Sequence, residues 1–221
     1  MGDLSNLRTL LLTDNKLSGA LPISLGSLSK LKQLNLGKNA FEGALPDSLG
    51  NLRELNGLFL YDNQLSGPIP SSFGNLIKLY TLDLSSNQLN GTIPATLGSL
   101  NSLANMALLG NQLSGPIPTT FGNLVNLQQL ALDYNQLSGP IPSSLGNLRD
   151  VKQMSFEYNS LCGSVPDTFM QNQNIKLWVD NNKLLTTGYS QEMTSWLNSH
   201  LWSRMPPNGW GVQESEKCSA K

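Results

Sequence analysis

The twelve residues LSGPIPSSFGNL, from Leu65 to Leu76, occur two more times in this chain with few changes. They return as LSGPIPTTFGNL from Leu113 and as LSGPIPSSLGNL from Leu137, so the copies begin 48 and then 24 residues apart. A fixed period of this size is typical of a solenoid, in which similar units stack along one axis. Stacking is needed because one such unit cannot bury its own apolar face.

Asparagine marks the same period along most of the chain. Seven asparagines are spaced by 24 residues and an eighth follows after 23: Asn15, Asn39, Asn63, Asn87, Asn111, Asn135, Asn159 and Asn182. Each lies in an LxxLxLxxNxL frame, whose Leu-x-Leu alternation sends both leucines to one side of a short strand. We therefore expect one strand per repeat, a buried leucine column, and an asparagine that bonds backbone groups in the adjoining turn.

The second half of each repeat carries Gly-x-(Ile, Leu or Val)-Pro, then a small polar residue, a large apolar residue and glycine. Glycine and proline predict a turn, and the hydroxyl residue predicts a cap on a short 3-10 or helical turn. The large apolar residues predict a second core column: Leu25, Leu49, Phe73, Leu97, Phe121, Leu145 and Phe169.

The full motif LSGPIPSSLGNLxxLxxLxLxxNQ resembles the plant-type leucine-rich repeat of receptor-like kinase and receptor-like protein ectodomains and of polygalacturonase-inhibiting proteins. The resemblance covers roughly Leu4 to Leu184. It implies an α/β repeat solenoid, an arc of about eight 24-residue repeats with parallel strands on the concave face and 3-10 or helical turns on the convex face. It also implies a plant or algal protein at the cell surface or outside the cell; the alternative is an organellar or intracellular subunit of a complex.

Residues 1–184 should form the solenoid, and residues 185–221 a capping helix and a loose tail. Secreted members of the family usually begin with a cysteine-bearing cap, whereas this chain begins inside a repeat. We therefore expect an uncapped N-terminal end, left by truncation or covered by a missing segment or a permanent partner. Cys162 and Cys218 either form one disulfide or remain free thiols. The sequon Asn90-Gly91-Thr92 makes Asn90 a candidate for glycosylation.

The tail segment SQEMTSWLNSHLW, from Ser190 to Trp202, has the apolar spacing of an amphipathic helix with Ser190 as its N-cap. The helix is expected to cover the last repeat. In a second interpretation, three tryptophans anchor a partner, because aromatic residues dominate interface hot spots: Trp196, Trp202 and Trp210.

Charge and motifs indicate a binding protein rather than an enzyme. The chain has 14 Lys and Arg against 15 Asp and Glu, which argues against nucleic acid as a partner. It has no run of about 20 apolar residues and so no predicted membrane span. Its one histidine, His200, lies in the tail, and no phosphate-binding or zinc motif occurs. We expect no catalytic site, cofactor or metal.

The strand residues that alternate with the leucines vary from repeat to repeat, as a surface adapted to one partner would. Eight strands about 4.8 Å apart span a little under 40 Å, enough for a protein epitope. The partner-binding candidates are Phe59, Tyr61, Asp83, Asp133, Tyr134, Glu157, Tyr158, Trp178 and Asp180. Asp133, Glu157 and Asp180 fall side by side, so their repulsion is either relieved by a basic partner or a cation, or they are solvated beside aromatics that rest on the sheet. Paired carboxylates also occur in glycoside hydrolases, but an open sheet face argues against that activity.

The leading hypothesis is therefore a non-enzymatic module that binds another protein through the concave strand face, as a receptor-like ectodomain or an inhibitor does. The alternative is a scaffold subunit of a multiprotein assembly, docked through its N-terminal edge and its tryptophan-rich tail. A remote alternative is ice or carbohydrate binding by the hydroxyl ladder of the convex face, whose residues otherwise cap the turns: Ser24, Ser48, Ser72, Thr96, Thr120, Ser144 and Thr168.

Overall fold

The computed structural model of the 221-residue chain describes residues 4–184, 189–201 and 218. Each period forms one turn of a solenoid, called a coil here, and coils one to eight are numbered by the asparagines Asn15 to Asn182. Within the described residues the coils form two eight-stranded sheets, both with parallel pairing between neighbouring coils. The first sheet contains Thr9–Leu11, Gln33–Asn35, Gly57–Phe59, Thr81–Asp83, Asn105–Ala107, Gln129–Ala131, Gln153–Ser155 and Lys176–Trp178. Its outward side is called the strand face.

The second sheet was not expected from the sequence. It contains Ser18–Ala20, Ala40–Ala44, Gln64–Pro68, Gln88–Thr92, Gln112–Gly115, Gln136–Pro140, Ser160–Gly163 and Lys183–Leu184. The prediction of one strand per repeat was wrong because glycine and proline, which are depleted in strands, were interpreted as a turn. Gly67 takes a φ of +75°, which bends the chain while its neighbours still pair with the next coil.

The core lies between the sheets and the turns. The strand leucines Leu34, Leu58 and Leu82 are fully buried, as are Phe73 and Phe121 of the predicted second column. All seven members of that column are buried, which confirms the prediction. Burying one such side chain contributes about 1.5–3 kcal/mol, so each coil gains stability when its neighbours cover its apolar residues.

The asparagines form a ladder between coils, also as predicted. Asn87 Nδ2 donates to the carbonyl oxygens of Leu84 at 3.2 Å and Ser85 at 3.1 Å in its own coil, and to Leu60 at 3.0 Å in the preceding coil. Its Oδ1 accepts from the Leu65 N–H at 3.0 Å. One buried amide thus satisfies four backbone groups in two coils, each of which would be costly to leave unpaired.

Short 3-10 turns close the first seven coils on the side opposite the strand face. They are Ile23–Ser27, Asp47–Asn51, Ser71–Asn75, Ala95–Ser99, Thr119–Asn123, Ser143–Asn147 and Asp167–Gln171. The expected hydroxyl caps were wrong, because a proline precedes each turn and no side chain caps it. The hydroxyls instead donate to the preceding coil: Ser72 Oγ to Asp47 O at 2.8 Å, and Thr96 Oγ1 to Ser71 O at 2.8 Å.

The terminal helix, Gln191–His200, covers the end of the solenoid. Ser190 Oγ accepts from the Met193 N–H at 3.1 Å, which is the N-cap expected from the sequence. Met193, Trp196 and Leu197 are buried. Leu201 forms a β-bridge with Leu177 in the last strand of the first sheet, so the helix end is joined to coil eight.

A disulfide joins Cys162 in coil seven to Cys218. In the described part of the chain no helix is long and apolar enough to cross a membrane.

Candidate functional site: the strand face

The strand face presents three outward columns of side chains. The centre column holds Phe59, Asp83 and Trp178, and the register pairs Phe59 with Asp83. The next column, two residues further along each coil, holds Tyr61, Asp133, Glu157 and Asp180. Tyr134 and Tyr158 follow in the third column, where each coil leaves the strand. The sequence thus placed every partner-binding candidate in the correct column, but their surroundings differ from one end of the sheet to the other.

The aromatic residues of coil three lie on glycines. A Cβ added to Gly37 would fall 2.5 Å from Cε1 of Tyr61, and one added to Gly57 would fall 2.7 Å from Cε2 of Phe59. The two rings therefore occupy the space that side chains at these positions would fill. Phe59 and Tyr61 are only partly exposed, as expected for aromatics resting on the sheet.

Asp83 is held by its own coil. Its Oδ1 accepts from the Ser85 N–H at 3.1 Å and from the Ser85 hydroxyl. Asn35 accepts from the Gly37 N–H at 3.1 Å in the same way. A centre-column side chain in these coils therefore satisfies the backbone N–H two residues later.

Asp133 makes the equivalent contact from the preceding coil. Its Oδ1 accepts from the Glu157 N–H at 3.1 Å, and its Oδ2 accepts from the Ser155 hydroxyl. The side chain is only 7% exposed, and burial raises the pKa of its carboxyl, although the bonds from Ser155 and Glu157 oppose that shift. Asp133 is thus a link between coils six and seven, and not the solvent-facing acid expected from the sequence.

Tyr134 and Tyr158 stack on each other. Their ring centroids are 4.3 Å apart and the rings are inclined by 12°. Tyr134 is 55% and Tyr158 46% exposed. Loss of solvent around the ring raises the pKa of the Tyr134 phenol, as do the adjacent Tyr158 and the carboxylates of Glu157 and Asp133.

Every residue in the third column has a positive φ. The column comprises Asp14, Lys38, Asp62, Ser86, Gly110, Tyr134, Tyr158 and Asn181. Glycine, asparagine and aspartate enter this left-handed region most readily, whereas a bulky residue is uncommon there. Both tyrosines have a φ of 52°. The repeat imposes this conformation in every coil, Lys38 and Ser86 included, so the solenoid and not a local preference holds both tyrosines there.

Glu157, Trp178 and Asp180 are partly exposed beside the tyrosine pair. With the two tyrosines they form the only part of the predicted patch, within the described residues, that combines exposed aromatic rings with carboxylates. They are called here the acidic-aromatic patch: Tyr134, Glu157, Tyr158, Trp178 and Asp180.

Two open depressions flank Tyr80, which the sequence analysis did not select. One has a volume of about 490 Å³ and the other about 390 Å³, and Tyr80 lines both. They form where Gly57 and Ala104 have little or no side chain. Tyr80 lies just before the strand, in a column that holds Lys32, Asn56 and Gln128 in other coils. Tyr80 could have been found from the sequence as the one aromatic residue at this position among Arg8 to Lys152 in coils one to seven.

The remaining sequence candidates lie away from the strand face. Trp196 is 6% exposed and stacks on His200 with centroids 4.5 Å apart, so its ring packs inside the cap. Trp202 and Trp210 lie outside the described residues. Asn90 is exposed on the strand Gln88–Thr92. Among the described residues, no group of three or more His, Cys, Asp or Glu side chains is arranged to hold a metal ion.

The model of a leucine-rich repeat region matches residues 1–205. The chain belongs to the leucine-rich repeat family. No curated protein sequence matches it.

Three solved structures show the range of its relatives. The plant peptide hormone receptor RGFR1, in complex with RGF2, is 38% identical with a TM-score of 0.81 over 83% of this chain and 30% of its own. The ectodomain of the Arabidopsis thaliana membrane receptor kinase GASSHO1/SCHENGEN3, in complex with CASPARIAN STRIP INTEGRITY FACTOR 2, is 35% identical with a TM-score of 0.84 over 91% of this chain and 24% of its own. A plant ice-binding protein is 26% identical with a TM-score of 0.64 over 85% of this chain and 69% of its own. The chain therefore spans less than a third of the length of either receptor chain, RGFR1 or GASSHO1/SCHENGEN3.

Proposed function

We propose that this protein is a non-enzymatic recognition module that binds a peptide or protein through the strand face, in the manner of a receptor-like ectodomain. The observation that carries the proposal is the contrast between a uniform core and an outward surface whose residues vary along the sheet. Leu58, Leu82 and Leu130 are identical and buried, whereas the adjacent outward residues Phe59, Asp83 and Ala131 differ in size and charge. One of the similar structures is a plant peptide hormone receptor in complex with RGF2, which supports the same use of this scaffold.

A site-specific photo-cross-linker tests the proposal. Gln129 and Gln136 are both exposed glutamines of coil six, but Gln129 lies on the first sheet and Gln136 on the second. A photoreactive residue at Gln129 should capture one protein or peptide from the extracellular fluid of the source organism, and the same residue at Gln136 should not. Capture at Gln136 alone, or at neither position, would contradict binding through the strand face.

We further propose that the protein acts at the cell surface or outside the cell, with Asn90 as a glycosylated residue. Asn90 is exposed and lies on the second sheet, away from the strand face, so a glycan there leaves the proposed binding surface open. The protein should be recovered from the extracellular or cell-wall fraction, with an N-glycan mass on Asn90 that an amidase removes. Recovery from the intracellular fraction alone would contradict this location.

Ice binding is the second candidate function, favoured by the similarity to the plant ice-binding protein. The hydroxyl ladder is poorly suited to it, because Ser48, Ser72, Thr96, Thr120, Ser144 and Thr168 donate their hydroxyl protons to the preceding coil. Thermal hysteresis of the purified protein measures the activity directly. Its absence at millimolar concentration would exclude this candidate.

A further inference from the structure

The tyrosine pair leaves one ring face uncovered beside a glycine. Tyr134 and Tyr158 occupy the same position in neighbouring coils, so the line between their centroids follows the stack of coils. Their separation of 4.3 Å and inclination of 12° mean that the ring faces point along this line. One face of each ring covers the other ring. The second face of Tyr134 therefore points toward the preceding position in the column, which is Gly110.

Gly110 leaves a slot in the column. A Cβ added there would make ordinary van der Waals contact with Ser86, whose nitrogen would lie 3.5 Å away, and Gly110 itself puts no side chain into the column. The Gly110 slot is the space between Ser86 and Tyr134, two strand spacings or about 10 Å apart. A planar group entering it can lie on the outer face of Tyr134 and lengthen the stack by one layer.

The surroundings favour a cation in this position. Tyr134 lies close to the carboxylate of Glu157, whose charge contributes to the raised pKa of the Tyr134 phenol. The face of an aromatic ring is itself negative and attracts cations. Among protein side chains, the guanidinium of arginine alone is both planar and permanently charged, and it stacks readily on aromatic faces.

We propose that the Gly110 slot holds an arginine guanidinium of the partner, stacked on the outer face of Tyr134. The inference rests on the proposed recognition function and names the chemistry that the patch selects. A lysine ammonium has the charge but cannot stack, and a neutral planar group can stack but lacks the charge.

Three capped tripeptides test whether the full chain requires both a positive charge and a planar group in the slot. Acetyl-Gly-Arg-Gly-amide, its citrulline analogue and its lysine analogue are titrated while the ring resonances of Tyr134 are followed by NMR. Citrulline is the matched control because it is nearly isosteric with arginine and neutral. The arginine peptide should shift the Tyr134 ring resonances and bind about two- to fivefold more tightly than either analogue. Equal binding of the citrulline peptide, or no shift with arginine, would overturn the proposal.

A substitution that fills the slot gives an independent test. Asn181 has a φ of 57° in the same column, so asparagine is compatible with this backbone. Gly110→Asn should abolish the preference for arginine. Lys38→Asn places the same side chain three coils away at a φ of 52° and should leave the preference unchanged. Retained preference in the folded Gly110→Asn protein would overturn the assignment of the slot.

The experiments distinguish a failure of the arginine slot from a failure of the proposed recognition function. If the tripeptides show no preference while the cross-linker at Gln129 still captures a partner, recognition stands and the arginine slot is wrong. If capture also fails, the strand face is not the binding surface. Tighter binding of an acetyl-Gly-Phe-Gly-amide probe than of the arginine peptide would assign the slot to an aromatic side chain and overturn the cationic assignment.

Discussion

The strand face uses the same residue types differently in coil three, toward its N-terminal end, and in coils six and seven, toward its C-terminal end. In coil three, Phe59 and Tyr61 lie over glycines, and their rings fill space that the sheet leaves open. In coils six and seven, Tyr134 and Tyr158 lean on each other and remain about half exposed. Tyr61 packs over Gly37 of the preceding coil, whereas Tyr134 leans the other way, onto Tyr158 of the following coil, and leaves the space above Gly110 unfilled.

The aspartates Asp83 and Asp133 also differ between these two regions of the strand face. Asp83 is held by Ser85 of its own coil, whereas Asp133 reaches forward to Ser155 and Glu157 of the next. The bonds of the Asp83 side chain therefore stabilise one coil, whereas those of the Asp133 side chain join two coils. Near the exposed tyrosines, Asp133 adds a further link between coils to the asparagine ladder, so the proposed binding surface rests on a fixed support.

The largest expected effect on stability comes from the asparagine ladder, at a position between the two ends. Asn111 in coil five donates to Leu84, Leu108 and Leu109 and accepts from Leu89. Asn111→Ala should lower the free energy of unfolding by roughly 3 kcal/mol, because it leaves buried backbone groups unpaired. Asn105→Ala is the matched control, since that side chain makes only a 3.5 Å contact with Thr81, and it should change stability by about 0.5 kcal/mol or less.

Urea unfolding of Asn111→Ala also tests whether the two ends form one unit. All four tryptophans follow residue 177, so their fluorescence reports the C-terminal end, while far-UV circular dichroism reports every coil. The two transitions should shift together. A fluorescence midpoint that stays at its original value would show that the ends unfold separately.

Asp133 should be the next most sensitive position. Asp133→Ala removes the partner of the Glu157 N–H and should cost about 2 kcal/mol at neutral pH. Asp133→Asn retains an acceptor for that N–H and should be at least as stable as the original protein. Chemical denaturation of both variants measures the difference; an equal loss in both would show that the bond to Glu157 contributes nothing.

The same residue predicts a pH dependence. The raised pKa of Asp133 means that the folded protein binds this proton more tightly than the unfolded chain does. The resulting stability is present below the ordinary carboxyl pKa and is lost as the pH rises through the raised value. The advantage of Asp133→Asn over the original protein should therefore be larger at pH 7 than at pH 3. Denaturation midpoints that differ by the same amount at both pH values would contradict this.

Gly37→Ala should have a smaller effect at the other end. The new methyl group would displace the ring of Tyr61, whose side chain can rotate away, so we expect a loss of about 1 kcal/mol. Near-UV circular dichroism should change as the ring moves. Gly74→Ala provides the contrast, because its Cβ would fall 2.6 Å from the backbone oxygen of Thr96, which cannot rotate away. It should cost clearly more; equal costs would argue against the packing described for Tyr61.

The smallest effect on stability is expected at the tyrosine pair. Tyr134→Asn loses the stack but replaces a bulky residue at positive φ with one that tolerates it, so the two changes oppose each other. The urea midpoint should stay close to that of the original protein, while binding of the arginine tripeptide is lost. A large drop in stability would show that the pair serves the fold rather than recognition.

Most of the fold could be predicted from the sequence, but less of the candidate site could. The periodic leucines and asparagines predicted the core and the ladder because the same contact recurs in every coil, and a repeated pattern is visible without knowledge of the neighbours. The column of each outward residue followed from the same period. The burial of Asp133 did not, because it depends on one serine and one N–H in the next coil. Tyr80 was missed because the depressions beside it arise from the small residues Gly57 and Ala104 in neighbouring coils.

The sequence by itself determined that the chain is a leucine-rich repeat solenoid, which residues fill its core, and which columns face outward. Only the tertiary structure decided that the Gly-x-Ile-Pro segments form a second sheet, that the hydroxyls bond the preceding coil, and that Tyr134 faces an open position above Gly110. The physical reason is the range of the interactions. Core burial and strand alternation depend on spacing along the chain, whereas exposure and pKa depend on what the adjacent coil places about 5 Å away.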